Sequence, residues 1–349
     1  MGDRDPTLNE RWNDRRVLVT GGSGFLGRHL THVLAQRGAR VTVARYPDEP
    51  APAWPSGVTG QPCDVRDAQR VQQLTQDVAP EIVFHLAAVG VNEPFIAPER
   101  ALDVNVRGTL NVLQAVRVAR GLRRIIVVGT CYEYGPDGGL DPGNVYAASK
   151  VAAWAFCRVA YRAYGTPVVV ARPFNVYGPG QHSQALIPAA IQAALEGRDF
   201  PTTPGEQRRD FLYVNDLIRG FLALALADGI EGQSLDLGTG VATPVREVVK
   251  RIFTLAALRQ ADMVSTPNHQ DCGDRASGQP QIGALPYRPG VVWELVADAE
   301  RTARLTGWRA QTGLDQGLQY TIAALDGAVH GKTKHTILGE RGTPSLSDP

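Results

Sequence analysis

Near the start of the chain lies the stretch Val17-Leu18-Val19-Thr20-Gly21-Gly22-Ser23-Gly24-Phe25-Leu26-Gly27. Its first four residues predict a short buried strand, and the spaced apolar residues after Gly27 predict a helix. Gly21 permits a tight turn, Gly24 lets the backbone approach a pyrophosphate, and Gly27 lets strand and helix pack closely, with phosphates over the helix N-terminus. The order of strand, glycines and helix predicts a dinucleotide-binding turn, although the spacing is G-x-x-G-x-x-G and not the commoner G-x-G-x-x-G.

Further apolar segments predict an alternation of strands and helices along the first half of the chain. The predicted strands include residues 40–45, 81–88 and 124–130, and a helical pattern follows Asn105. Strands that alternate with helices imply right-handed crossovers between parallel strands. The sequence therefore predicts an α/β fold built on a Rossmann-type doubly wound parallel sheet.

A second informative feature is the pair Tyr146 and Lys150, which a helix would place one turn apart on the same face. A free tyrosine titrates near pH ~10, but an ammonium within about 4 to 6 Å favours the phenolate. The pair is therefore a candidate for proton transfer. The same spacing also occurs by chance on exposed helices, so its meaning depends on the dinucleotide-binding turn beside it.

With these motifs in order, the chain resembles the extended short-chain dehydrogenases/reductases of the nucleotide-sugar epimerase, dehydratase and reductase group. The resemblance covers residues 16 to about 325. It is carried by the glycine turn, Asp64-Val65, His85-Leu86-Ala87-Ala88, Asn105, Thr130, Tyr146 with Lys150, residues 172–180, residues 209–216 and Arg288-Pro289-Gly290.

The resemblance implies a reaction and two sets of binding residues. Hydride would pass between a nicotinamide and a sugar carbon while Tyr146 gives or takes the proton on its oxygen. Lys150 would tune Tyr146 and hydrogen-bond the nicotinamide ribose, and Thr130 would hold the reacting oxygen, unless its hydroxyl only satisfies its own turn. The implied cofactor-binding residues are Gly21, Ser23, Gly24, Phe25, Leu26, Gly27, Arg28, Arg45, Asp64, Val65, Leu86, Ala87, Ala88, Asn105, Tyr146 and Lys150. The implied substrate-binding residues are Thr130, Cys131, Tyr132, Asn175, Arg209 and Arg288.

The choice of cofactor depends on Arg45, at the end of the predicted second strand. NAD-binding relatives commonly carry an aspartate there, which accepts hydrogen bonds from the adenosine ribose. A guanidinium cannot accept those bonds but can pair with a 2′-phosphate, and Arg28 could reach the same region. We therefore expect NADP(H) and not NAD(H); the alternative is that Arg45 is a solvated surface residue.

The residues after Thr130 separate the reactions that this group catalyses. The group's 4,6-dehydratases place an acid pair there, but Cys131 and Tyr132 are not carboxylates, so neither dehydration nor decarboxylation is expected. Glu133 lies one position too late, and we expect it to be structural. Ketoreduction and epimerisation remain. The interval from Thr130 to Tyr146 is shorter than in most relatives, and its residues 135–143, rich in glycine and proline, suggest a trimmed loop over the substrate.

The leading hypothesis is an NADPH-dependent 4-ketoreductase of a dTDP-4-keto-6-deoxyhexose, because a reductase consumes reduced cofactor and Arg45 favours NADPH. An NDP-hexose 4-epimerase with tightly bound NAD is the alternative. A non-catalytic NADP-binding regulator is a third hypothesis, against which the intact Thr130, Tyr146 and Lys150 argue. Asn175, Arg209 and Arg288 match positions around the substrate's diphosphate, which arginines suit physically. The resemblance also implies a homodimer formed through residues 106–118 and 151–163.

Composition bounds the remaining properties of the chain. A length of 349 residues and a net charge of +1 suit a core-forming enzyme and give no nucleic-acid signature. The sequence shows no apolar run long enough to span a membrane and no secretory core after Gly2, so we expect a cytoplasmic protein. The four cysteines, at positions 63, 131, 157 and 272, lack metal-ligand spacing, so we expect reduced thiols and no metal. His85 could lie near the cofactor or be packed structurally.

We expect the domains to be discontinuous. Residues 16–175 and 207–240 would form the NADP-binding domain, because residues 234–240 resemble a late strand that returns to it. Residues 176–206 and 241–325 would form a smaller C-terminal α/β substrate domain. Residues 264–289 resemble a long loop, residues 298–308 and those from Leu314 predict two helices, and residues 1–15 and 331–349 would be flexible tails.

Overall fold

Strands and helices alternate along most of the chain. The structure, a computed structural model, describes residues 12–50, 52–93, 96–264, 278–288 and 290–329. The strands are β1 (Arg16–Thr20), β2 (Arg40–Arg45), β3 (Val58–Pro62), β4 (Ile82–His85), β5 (Arg124–Val128), β6 (Val168–Pro173), β7 (Asn175–Tyr177), β8 (Phe200–Thr202), β9 (Arg208–Arg209), β10 (Phe211–Tyr213), β11 (Ser234–Leu237), β12 (Thr243–Pro244), β13 (Pro280–Ile282) and β14 (Glu294–Leu295). The helices are α1 (Phe25–Gln36), α2 (Ala68–Val78), α3 (Pro98–Ala101), α4 (Gly108–Arg117), α5 (Val145–Tyr164), α6 (Leu186–Leu195), α7 (Val214–Leu226), α8 (Val245–Val264), α9 (Ala299–Thr306) and α10 (Leu314–Val329).

The main sheet has seven parallel strands in the order β11-β6-β5-β4-β1-β2-β3. The order reverses at β1, which pairs with β2 on one side and with β4 on the other. Ligands of such sheets bind at this reversal, beyond the carboxyl ends of the strands. The predicted doubly wound sheet is thus confirmed, and the expected late strand is β11, whose Ser234 pairs with Val170 of β6.

The central strands are apolar because helices cover both faces of the sheet. All four residues of β4 are buried, as are all those of β5 and β6. The Phe84 ring of β4 lies 6.3 Å from the ring of Trp12 and 6.3 Å from that of Phe221 on α7. This aromatic cluster of Trp12, Phe84 and Phe221 packs β4 against helix α7. It therefore fixes the position of the strand that leads into the site.

Short strands and five helices follow β6 in the chain. β7 pairs with β10, β8 pairs with β13, and β9 lies between β12 and β14. Helices α6, α8 and α10 contact one another. The predicted helix near residues 298–308 is confirmed as α9, which starts after Asp298 and ends before Gly307.

Parts of the predicted organisation lie outside the described residues. These are residues 265–277 and Pro289 of the expected long loop, and most of both expected tails. Residues 278–288 of that loop contain β13, which its composition did not predict. The division into two domains stays a prediction.

We expect Phe84→Ala to lower the free energy of unfolding by about 3 to 5 kcal/mol, because it removes a fully buried ring and leaves a cavity. Val118→Ala is the matched control, since Val118 is 57% exposed and its loss should change stability by no more than about 0.5 kcal/mol. Urea denaturation measures both. Equal effects of the two substitutions would contradict the packing of Phe84 in this aromatic cluster.

Candidate active site

The glycine turn is closed by backbone-to-backbone contacts. Gly21 has φ +69°, and a Cβ atom there would lie 2.7 Å from the Ala87 nitrogen. A Cβ atom on Gly27 would lie 2.3 Å from the Gly21 carbonyl oxygen. Gly24 is the N-cap of α1 and supplies no capping side chain, so the first N–H groups of the helix remain available to an anion. The geometry thus suits the dinucleotide role predicted for this turn.

Arg45 lies at the end of β2, as predicted, and its guanidinium organises the loop that follows. Its Nη1 donates to the carbonyl oxygens of Tyr46 and Pro47, both at 3.1 Å, and also to that of Glu49. The Ser23 hydroxyl of the glycine turn donates to Glu49 Oε2 at 2.6 Å. Glu49 is therefore a carboxylate at the adenosine end of the site that the sequence did not single out.

Two other predicted cofactor residues have protein partners. Arg28 Nη2 donates to the Gly180 carbonyl at 3.4 Å, which joins α1 to the segment after β7. The Asp64 carboxylate accepts from Arg66 Nε and Nη2, at 2.9 and 2.6 Å to Oδ2. Hydrogen bonds from Arg66 lower the pKa of Asp64. The Arg66 side chain thus fixes the carboxylate of this predicted cofactor-binding residue.

The loop after β4 contains the predicted Leu86, Ala87 and Ala88, and polar side chains hold its start and end. The Ala87 N–H donates to Thr20 Oγ1 at 3.2 Å. Asn105 Oδ1 accepts from the Val89 N–H at 2.8 Å, and its Nδ2 donates to the Val89 carbonyl at 3.0 Å and to Ser149 Oγ at 2.9 Å. Asn105 therefore ties this loop to helix α5.

His85 has a packed position beneath the loop. Its Nδ1 lies 2.7 Å from Thr20 Oγ1 and its Nε2 lies 3.0 Å from Thr109 Oγ1. Burial lowers the pKa of His85 to about 3, so the ring is neutral at physiological pH. Of the two roles open to His85 on sequence, the geometry favours the structural one.

Thr130, Tyr146 and Lys150 come together at the carboxyl end of β5. Asn144 caps α5 by accepting from the Ala147 N–H at 2.9 Å, and Tyr146 and Lys150 lie on the buried face of that helix. The Thr130 side chain lies near enough to the Tyr146 phenol to lower its pKa. Lys150 Nζ lies 5.9 Å from the centre of the Tyr146 ring and donates to the Val128 carbonyl at 2.8 Å.

Burial controls the ionisation of this trio. It raises the pKa of Tyr146 above its usual value, and the Thr130 side chain opposes that rise only in part. The lowering expected from Lys150 alone was therefore wrong in sign, because the cost of burying a phenolate is larger. Burial also lowers the pKa of Lys150 to about 8, against the attraction of the Glu133 carboxylate. Near neutral pH the site thus holds a protonated phenol beside an ammonium.

The Glu133 carboxylate holds the Thr130 backbone in place. Its Oε1 accepts from the Thr130 N–H at 2.9 Å and its Oε2 accepts from Arg172 Nε at 2.6 Å. β5 ends at Val128 and does not continue to Glu133, because residues 131–133 form a single 3₁₀ turn with Thr130 and Glu133 as a capping box. The pattern Thr-x-x-Glu is the sequence signature of such a cap and could have revealed this contact.

Some of the predicted substrate residues contact one another. The Tyr132 hydroxyl donates to Asn175 Oδ1 at 3.1 Å, and the charge of Arg209 opposes the rise that burial causes in the pKa of Tyr132. Cys131 is buried, and burial raises its pKa to about 12, so it remains a neutral thiol. Arg288 is exposed, between β13 and β14.

A buried aspartate, Asp210, holds the strand that carries Arg209. Its Oδ1 accepts from the Thr239 N–H at 2.9 Å and from the Thr239 hydroxyl at 2.7 Å, and its Oδ2 accepts from the Gly240 N–H at 2.8 Å. The sequence placed Asp210 in a motif without giving it a role. The contacts show that it fixes the end of β11 against the substrate side of the site.

The described part of the chain has neither a metal-binding cluster nor a helix that could span a membrane. No group of three histidine, cysteine, aspartate or glutamate side chains there could hold a metal ion. No helix within the described ranges is long and apolar enough to cross a membrane.

Comparison with known proteins places this site in a family. The family model for the NAD dependent epimerase/dehydratase family matches residues 17–238. The chain belongs to this family. The family resemblance inferred from the motifs is therefore confirmed. The short-chain dehydrogenase/reductase fold is also confirmed. The family's enzymes modify nucleotide sugars.

Members of the family with different reactions are similar to this chain. The UDP-N-acetyl-alpha-D-glucosaminuronate decarboxylase of Bacillus cytotoxicus is 30% identical over 69% of this chain and 80% of its own length. The probable dTDP-glucose 4,6-dehydratase of Sinorhizobium fredii is 30% identical over 88% of this chain and 91% of its own length. The solved UDP-glucose 4-epimerase of Thermus thermophilus, in complex with NAD, is 27% identical, with a TM-score of 0.74 over 90% of this chain and 99% of that chain.

We expect Tyr146→Phe to lower sugar-nucleotide turnover by about 10² to 10⁴-fold, because it removes the proton that the phenol supplies. Cofactor affinity should stay close to that of the unaltered protein, whereas Lys150→Ala should impair both turnover and cofactor binding. Tyr161→Phe is the matched control, since Tyr161 lies on the same helix and is 39% exposed. Steady-state kinetics and cofactor titration measure the two effects. Full activity of Tyr146→Phe would remove Tyr146 from the mechanism.

The depressed pKa of Lys150 predicts a pH dependence. The ammonium is present below pH about 8 and is lost above it, so kcat/KM should fall as the pH rises through about 8. Lys150→Arg keeps a positive charge at all accessible pH values and should move this alkaline decline upwards, even if its overall rate is lower. An unchanged decline in Lys150→Arg would assign it to another group.

Proposed function

We propose that the protein reduces the 4-keto group of a dTDP-4-keto-6-deoxyhexose with NADPH and so produces an activated 6-deoxysugar. The observation that carries this proposal is the buried Tyr146 phenol, which lies with Lys150 on the buried face of one helix and which burial keeps protonated at neutral pH. A ketone that accepts hydride needs a proton on its oxygen, and Tyr146 is placed to give one. Enzymes of the family modify nucleotide sugars, and the proposal names one such modification for this chain.

Each residue of the trio has a distinct task in this reduction. Bound NADPH supplies the hydride. Thr130 donates its hydroxyl to the sugar's carbonyl oxygen and so orients the carbon that is reduced. Tyr146 transfers its proton to that oxygen, and the Lys150 ammonium stabilises the phenolate that remains. The glycine turn and Lys150 would hold the cofactor, and Arg45 would pair with its 2′-phosphate.

The positions after Thr130 support reduction over elimination of water. A dehydratase needs an acid and a base beside the sugar, and Cys131 and Tyr132 offer neither a carboxylate nor an ionised group near neutral pH. Glu133 is fully buried, and its carboxylate is already held by Arg172 and by the Thr130 N–H. For this reason we do not propose for this chain the reaction named for the Sinorhizobium relative.

NADPH is supported by the position of Arg45. A guanidinium at the end of β2 can form paired hydrogen bonds with a phosphate, and the end of β2 is where this fold receives the adenosine ribose. The three carbonyl contacts of Arg45 hold its side chain at that end of the strand.

An NDP-hexose 4-epimerase with bound NAD is the second candidate. The Thermus epimerase structure contains NAD, and here the Glu49 carboxylate lies 2.6 Å from Ser23 Oγ, where it could accept hydrogen bonds from ribose hydroxyls. A non-catalytic NADP-binding regulator is disfavoured by the assembled Thr130, Tyr146 and Lys150. A homodimer and a cytoplasmic location stay predictions.

The test follows reduced-nicotinamide absorbance with NADPH or NADH in the presence of dTDP-4-keto-6-deoxyglucose. We expect one NADPH to be consumed for each sugar reduced, and NMR of the product gives the configuration of the new hydroxyl. Arg45→Asp should weaken NADPH binding about 10- to 100-fold, the value of a charged hydrogen bond or two. Arg40→Gln, at the opposite end of β2, is the control. No cofactor consumption, with interconversion of an NDP-hexose, would establish the epimerase instead.

A further inference from the structure

A cavity of about 360 Å³ lies beside the short loop at residues 135–143. It is separate from the catalytic trio, since neither Thr130, Tyr146 nor Lys150 is among the described residues that line it. Its volume lies in the range of small-molecule sites, roughly 300 to 1,000 Å³. The side chains that define its chemistry are Leu140, Trp154, Arg158, Arg172, Ser234 and Arg301.

Three arginines face this cavity, and two of them lack a carboxylate partner among the residues that the structure describes. Arg172 is paired with Glu133. Arg158 donates to the Gly232 carbonyl, and Arg301 donates to the Ser234 carbonyl at 2.6 Å and to Gln233 Oε1 at 2.7 Å. Both guanidiniums are half-buried, and no aspartate or glutamate of the described ranges lines the cavity. Partly desolvated charges of one sign favour an anion between them.

The walls of the cavity are held in place before any ligand arrives. The Trp154 indole nitrogen donates to Ser234 Oγ at 2.8 Å. The Arg172 guanidinium lies over the Tyr134 ring at 5.0 Å and over the Trp154 ring at 5.8 Å. Because the guanidiniums are fixed by carbonyl acceptors and aromatic rings, little side-chain entropy would be lost on binding.

We propose that this cavity is a second binding site, which takes a phosphate group as free phosphate or as the phosphate ester of a small sugar. The planar guanidinium presents paired N–H donors that match phosphate oxygens. Trp154 and Leu140 supply an apolar wall for the remainder of an ester. The site does not depend on the proposed ketoreduction, because Arg158 and Arg301, which would bind the phosphate, take no part in the catalytic steps.

Calorimetric titration of the full chain with inorganic phosphate, at constant ionic strength, tests the site. We expect saturable binding that Arg158→Gln and Arg301→Gln each weaken at least tenfold. Arg209→Gln should leave this binding unchanged, which separates the cavity from the substrate side of the active site. Turnover of Arg158→Gln in phosphate-free buffer should equal that of the unaltered protein.

A second pair of variants covers the case in which the arginine substitutions disturb folding. Leu140 is 37% exposed at the cavity rim, so Leu140→Glu places a competing carboxylate there with little structural cost, and Leu140→Gln is its neutral control. Phosphate binding should be lost in the first variant and kept in the second. Glucose 1-phosphate binding more tightly than phosphate identifies an ester site, and the reverse identifies free phosphate. Absence of saturable phosphate binding, equal binding of citrate, or phosphate binding that survives Leu140→Glu would overturn the proposal.

Discussion

The chemistry of this protein depends on burying one face of helix α5 against the carboxyl end of β5. That contact places the Lys150 ammonium on the Val128 carbonyl and removes the Tyr146 phenol from water. Burial disfavours both charged forms, so it keeps the phenol protonated and makes the ammonium easier to lose. The position of β5 between β4 and β6 fixes the depth of this face. The sheet therefore determines the proton state of the site as well as its geometry.

The buried pair of Glu133 and Arg172 connects that sheet to the catalytic turn. Glu133 accepts from the Thr130 backbone, while Arg172 comes from the next strand, β6. A buried carboxylate of this kind is stable only with a paired charge and satisfied oxygens, and both conditions are met here. Arg172 also borders the arginine-lined cavity, so one side chain contacts both that cavity and the carboxylate that holds the Thr130 turn.

Much of this architecture could be predicted from local sequence patterns. The glycine turn, the strands and the one-turn spacing of Tyr146 and Lys150 are properties of short segments, so periodicity and glycine spacing were sufficient. The direction of the Tyr146 pKa shift could not be predicted from a short segment, because it depends on how deeply the tertiary packing buries the phenol. Contacts between distant residues were also missed, such as Ser23 with Glu49. The Glu133 cap lay within reach of sequence reasoning through its Thr-x-x-Glu pattern.

The same scaffold carries several reactions in this family, and the number of groups that can move a proton beside the sugar separates them. Tyr146 alone is sufficient for ketone reduction, because one hydride and one proton complete the product. Elimination of water requires a second acid and a base near the sugar. Here the side chains after Thr130 are a buried thiol and a phenol that donates to Asn175. The residues at these two positions therefore favour the proposed hydride transfer, coupled to one proton, over elimination of water.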